Sequence, residues 1–91
     1  MTYEEEITRL RKEINRINNE ILDKIAERAD VAREIAKLKR RNGKPIVDAA
    51  REHAVLFEAR KQAAEQGLNP DLVERIYQTI IDLCVKVEEK P

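Results

Sequence analysis

Residues 3–42 read YEEEITRLRKEINRINNEILDKIAERADVAREIAKLKRRN, a stretch with no glycine or proline. Its apolar residues fall at Ile7, Leu10, Ile14, Ile17 and Ile21, the alternating three-and-four spacing of one helix face. The stripe continues through Ile25, Ala29, Ala32, Ile35 and Leu38 to a basic end at Lys39, Arg40 and Arg41. Thr2 and Glu5 stand in capping-box spacing before it, and Gly43 suits the left-handed residue that closes a helix. The spacing predicts one helix over about 3–42. At 1.5 Å per residue, about 40 residues make a rod of roughly 60 Å.

Outward from this rod the chain breaks twice, at Gly43 and Pro45 and again at Gly67 and Pro70, with Pro91 at the end. Asp48 is a good N-cap for a second helix over about 48–66, with Val55, Leu56, Ala59 and Ala63 as its inner face. Asn69 followed by Pro70 opens a third over about 70–89, where Val73, Ile76, Ile80, Leu83 and Val87 repeat at helical spacing. No strand pattern competes. The fold class is all-α, one long and two shorter helices, and residues 1–91 are expected to form a single domain.

The chain has 91 residues, 42% of them hydrophobic, 40% charged and 3% aromatic. A domain this small buries only roughly 60–65% of the surface its unfolded chain exposes, so it needs disulfides, a metal or a partner. One cysteine, Cys84, makes no intrachain bridge, and one cysteine with one histidine, His53, falls short of a structural zinc site. A partner remains. Two short helices cannot cover both ends of a long rod, so an intertwined helical homodimer is expected.

Lysine plus arginine number 18 and aspartate plus glutamate 18, a formal net charge of zero that gives no global argument for nucleic acid or a membrane as partner. Residues 1–10 lack the apolar core of an export signal, so the cytoplasm is the expected location. Motifs of phosphate-binding loops, zinc peptidases, serine hydrolases and di-iron bundles are absent. What stands out is local: eleven residues at 100° each bring Lys39 to within about 20° of Arg28, so both cations share one face that also carries apolar residues. The second helix opens with Asp48, Arg51 and Glu52 in one turn, and the third carries Tyr77, Ile81, Cys84 and Glu88 on a second face beside Val85. Such charges can also be solvated or capping groups of a non-catalytic dimerisation module.

Taken in order, Arg11 in L-R-K-E-I, Arg28 in A-E-R, Lys39, the D-x-x-R-E of Asp48, Arg51 and Glu52, and the I-I-x-x-C-V of the third helix resemble the all-helical class of chorismate mutases. The likeness extends from about Leu10 to Glu88. It implies a Claisen rearrangement of chorismate to prephenate in aromatic amino acid biosynthesis, without cofactor, metal or covalent intermediate. Arg11 and Arg28 would hold the two carboxylates, Lys39 the ether oxygen, and Glu52, helped by Asp48, the ring hydroxyl. Arg51 would support them, and Ile35, Ile81 and Val85 would wall out water. Arg11 lies roughly 25 Å from Arg28 and about 42 Å from Lys39 along the rod, turned some 80–100° away, so joint action requires Arg11 from the partner chain.

Two positions depart from the common pattern of that family. Cys84 stands where a serine or another small residue is frequent, and its thiol is a weak donor. Glu88 stands where many relatives carry a glutamine that donates to the ether oxygen. An ionised Glu88 repels the charge that develops there, whereas a protonated one donates to it. Activity is therefore expected to rise toward acid pH, and Glu88→Gln to flatten the pH–kcat profile; an unchanged profile would remove Glu88 from the mechanism. The nearest enzymatic rival, isochorismate–pyruvate lyase, tends to lack the hydroxyl-reading carboxylate that Glu52 and Asp48 supply here.

Overall fold

The computed structural model describes residues 1–90; Pro91, the last position of the expected domain, lies outside them. Three helices follow in order, α1 Tyr3–Arg41, α2 Ala49–Glu65 and α3 Pro70–Glu89, with no strand among the described residues. Each start is capped by a side chain. Thr2 Oγ1 accepts from the Glu5 N–H at 3.2 Å, Asp48 Oδ1 from Arg51 at 3.1 Å and Asn69 Oδ1 from Leu72 at 3.2 Å. In each case one orphan donor of the first turn is satisfied.

The first two helices stop in the same way. The Gly43 N–H reaches the Arg40 carbonyl and the Lys44 N–H the Lys39 carbonyl, while Gly67 and Leu68 repeat the pair onto Ala64 and Ala63. This double closure needs a left-handed residue at its centre, and Gly43 and Gly67 have φ of 63° and 73°.

Helix α3 packs against both other helices. The residues buried between them are small: Ala29, Ala32 and Ala36 on α1, Ala59 and Ala63 on α2, Ile81 and Cys84 on α3. Alanine at these contacts lets the helix backbones approach closely but removes little apolar area from water. No large side chain among the described residues is fully buried. At the far end Arg60 of α2 bridges to Asp71 at 2.8 Å and Glu74 at 3.4 Å on α3. The Asp71 hydrogen bond raises the Arg60 pKa against the opposing effect of desolvation.

The shape is extended, 61 × 27 × 14 Å with a radius of gyration of 17.3 Å. A compact chain of this length has a radius of gyration of about 12 Å. Up to residue 24 only Ile7 is even partly buried, and Ile14 and Ile21 are each more than half exposed. Of the α3 stripe Val73, Ile76, Ile80, Leu83 and Val87, Ile76 and Leu83 are exposed, Ile80 and Val87 pack against the buried cluster of Ala29, Ala32 and Cys84, and the buried α3 residues are Ile81 and Cys84. Ile76 and Leu83 join Ile21 and Ile25 around an open apolar trough on the opposite side of α3. Tyr77 is 38% exposed and borders a shallow groove along α2 rather than following Ile81 inward.

Candidate active site

All three helices contribute to one cleft of about 430 Å³. Helix α1 supplies Arg28, Ile35 and Lys39, the start of α2 supplies Asp48, Arg51 and Glu52, and α3 supplies Ile81, Cys84, Val85 and Glu88. The structure thus brings together every site position read from the sequence except Arg11. That residue is exposed, lies outside the cleft and forms no ion pair among the described residues. Val31, Ala32, Ile46 and Val55 also line the cleft, and the sequence reading did not place them there. Val31 and Val55 follow Arg28 and Glu52 by three residues, a helical spacing that marks them as neighbours. Ile46 sits in the connection between α1 and α2, where no periodicity operates.

Local contacts hold the cations in place. Arg28 Nη1 donates to Cys84 Sγ at 2.9 Å, joining α1 to α3 across 56 residues. Cys84 is 2% exposed, and its sulfur acts as a weak acceptor that orients the guanidinium while leaving most of its donors free. Lys39 Nζ donates to the Ile46 carbonyl at 2.7 Å, which ties the end of α1 to the connection and leaves two ammonium protons for a ligand.

Several other cations on α1 find carboxylates: Arg9 with Glu13, Arg16 with Glu20, Lys24 with Glu27, Arg33 with Asp30 and Lys37 with Glu34. Arg28, Lys39 and Arg51 pair with no carboxylate among the described residues, although Asp48, Glu52 and Glu88 line the same cleft. Arg28 and Lys39 are half-buried and Arg51 is exposed; for the two half-buried cations, partial desolvation makes a contact with an anion brought from outside stronger than at the open surface. Glu52 is half-buried and makes no side-chain hydrogen bond among the described residues, so it remains an open acceptor. Asp48 spends one oxygen on its cap. No cluster of three or more metal-ligating side chains occurs among the described residues, and no helix is long and apolar enough to cross a membrane.

Unpaired cations and carboxylates lining one partly apolar cleft the size of a small metabolite make a polar small-molecule site in an all-helical chain. The sequence profile of the family described as chorismate mutase type II matches residues 10–89, and the chain belongs to that family and is an isomerase. A chorismate mutase of Methanocaldococcus jannaschii is 35% identical over 86% of this chain and 79% of its own length. A 4-amino-4-deoxychorismate mutase of Streptomyces venezuelae is 33% identical over 98% of the chain and 86% of its own. The T-protein of Enterobacter agglomerans is 34% identical over 84% of the chain, which spans only 20% of that longer protein.

Proposed function

We propose that this cleft, as a single domain's site in the cytoplasm, rearranges chorismate to prephenate, and that Arg11 of a second copy completes it. The observation that carries the reading is the set of unpaired cations, Arg28 and Lys39, set over apolar walls in one cleft with Glu52. The reaction breaks an ether C–O bond as a C–C bond forms, within one molecule and with no proton lost. Its demand is to hold a flexible dianion in a folded conformer and to meet the charge that grows on the ether oxygen. Arg28 and the second copy's Arg11 grip the carboxylates, Lys39 and Glu88 address the ether oxygen, and Glu52, with Asp48 beside it, accepts from the ring hydroxyl. Arg51 supports these groups from the α2 start. Ile35, Ile81 and Val85 exclude water, which strengthens every contact inside.

The second copy follows from what one chain leaves uncovered. An α1 exposed along its apolar stripe, a core made mostly of alanine and an extended shape are the marks of half an assembly. An intertwined homodimer covers the stripe of each chain with the other.

A specific observation favours one further reading of the substrate. The Streptomyces relative matched along almost all of this chain is named for an amino analogue of chorismate. Asp48 and Glu52 both line the cleft, so a ring ammonium in place of the hydroxyl also finds carboxylate partners there. One assay separates the readings: ultraviolet loss of chorismate and of its 4-amino analogue, with the products identified, for the native chain and Glu52→Gln. Prephenate is the expected product, and Glu52→Gln is expected to lower kcat/KM on chorismate about 10–100-fold, the worth of one hydrogen bond to a charged group. Release of pyruvate would replace this function with lyase activity, and faster turnover of the amine would make it the substrate.

A further inference from the structure

On α1, successive side chains point 100° apart, so Lys39 and Arg40 cannot serve the same side. Lys39 lines the cleft, and Arg40 turns behind it into a second cavity of about 340 Å³ with Arg33 and Lys37 of α1 and Val87 and Glu88 of α3. There the Arg40 guanidinium donates to the backbone carbonyl of Glu88. This carbonyl belongs to the last turn of α3, whose final carbonyls have no donor within the helix, and a cation at that end also complements the helix dipole. Only two side-chain hydrogen bonds join α1 to α3 among the described residues, Arg28 to Cys84 and Arg40 to Glu88. Both flank the cleft.

Glu88 therefore faces two ways. It lines the cleft and the second cavity alike, and its backbone carbonyl is held by Arg40, two residues before the last described one. The final turn of a helix otherwise frays, and a carboxyl that must stand over a reacting atom cannot sit on a fraying turn. We infer that Arg40 is a positioning residue, a clasp on the end of α3 that sets where the Glu88 carboxyl stands. This rests on the reading of Glu88 given under Proposed function.

The test is a double-mutant cycle between Arg40 and Glu88, read as kcat, KM and the pH–kcat profile, with melting temperature followed alongside. Arg40→Ala is expected to lower kcat about tenfold with KM changed less than about threefold, and to flatten the acid limb as Glu88→Gln does. Arg40→Lys, which keeps a cationic donor, is expected to restore most of kcat and the limb. In a Glu88→Ala background Arg40→Ala should cost less than about twofold more. A full tenfold loss in that background, or an unaltered profile in Arg40→Ala, overturns the clasp while leaving the role of Glu88 intact. If Glu88→Ala itself leaves kcat unchanged, the reading of Glu88 falls and the clasp with it.

Discussion

Lys39→Ala is expected to lower kcat about 10²–10³-fold, the usual consequence of removing one preorganised group from a developing negative charge. The size follows from where this ammonium sits. It is half-buried, unpaired with any carboxylate among the described residues, and fixed by the Ile46 carbonyl at 2.7 Å. An ammonium held ready in this way needs no reorganisation when the ether bond lengthens, so its loss falls on the transition state more than on substrate binding. KM should change much less than kcat. Lys39→Arg should recover little, because a planar guanidinium on a longer stem cannot put its charge at the same point. Lys24→Ala, which removes an exposed cation paired with Glu27 at 3.0 Å, is the matched control and should leave both constants unchanged. A rise in KM at constant kcat for Lys39→Ala would reduce Lys39 to a binding group.

Complementation between two inactive chains is the second large effect. Arg11→Ala and Arg28→Ala, each alone, are expected to lose at least 10²-fold in kcat/KM, since each deletes a guanidinium from a carboxylate. Mixed after unfolding and refolding together, equal amounts should recover about a quarter of native activity. The fraction follows from symmetry: half of the randomly formed dimers are mixed, and in each of these one site receives both defects while the other receives neither. Recovery near zero would mean that Arg11 does not cross to the second chain's cleft. Recovery without refolding would measure how quickly subunits exchange.

The helical breaks were legible because their chemistry is local. A positive φ of 63° or 73° excludes most side chains, so Gly43 and Gly67 announce the ends of α1 and α2 without reference to the rest of the fold. The shared face of Arg28 and Lys39 was legible for a related reason, since both ride one unbroken helix and their phase is arithmetic. Family resemblance, not spacing, linked them to Glu52 and Glu88, which arrive from other helices. What stayed hidden was contact choice. Periodicity marks both apolar faces of α3 but does not say which meets its own chain, and Ile81 and Cys84 are what the chain buries while Ile76 and Leu83 stay exposed. Ile46 was invisible because its contribution to Lys39 is a backbone carbonyl, which every residue has.

The uninterrupted course of α1 from Tyr3 to Arg41 bears on more than assembly. In the proposed dimer the same helix delivers Arg11 to one cleft and Arg28 and Lys39 to the other, so it works as a ruler with marks for two workplaces. One residue inserted between Arg11 and Arg28 would turn the first mark by about 100°, and a whole heptad would restore its bearing but move it by roughly 10 Å. Neither error can be corrected locally, because a continuous helix has no slack. The length between those marks is consequently a property under functional control, whereas the connection at 66–69, which supplies nothing to the cleft, can change its residue count without touching either mark.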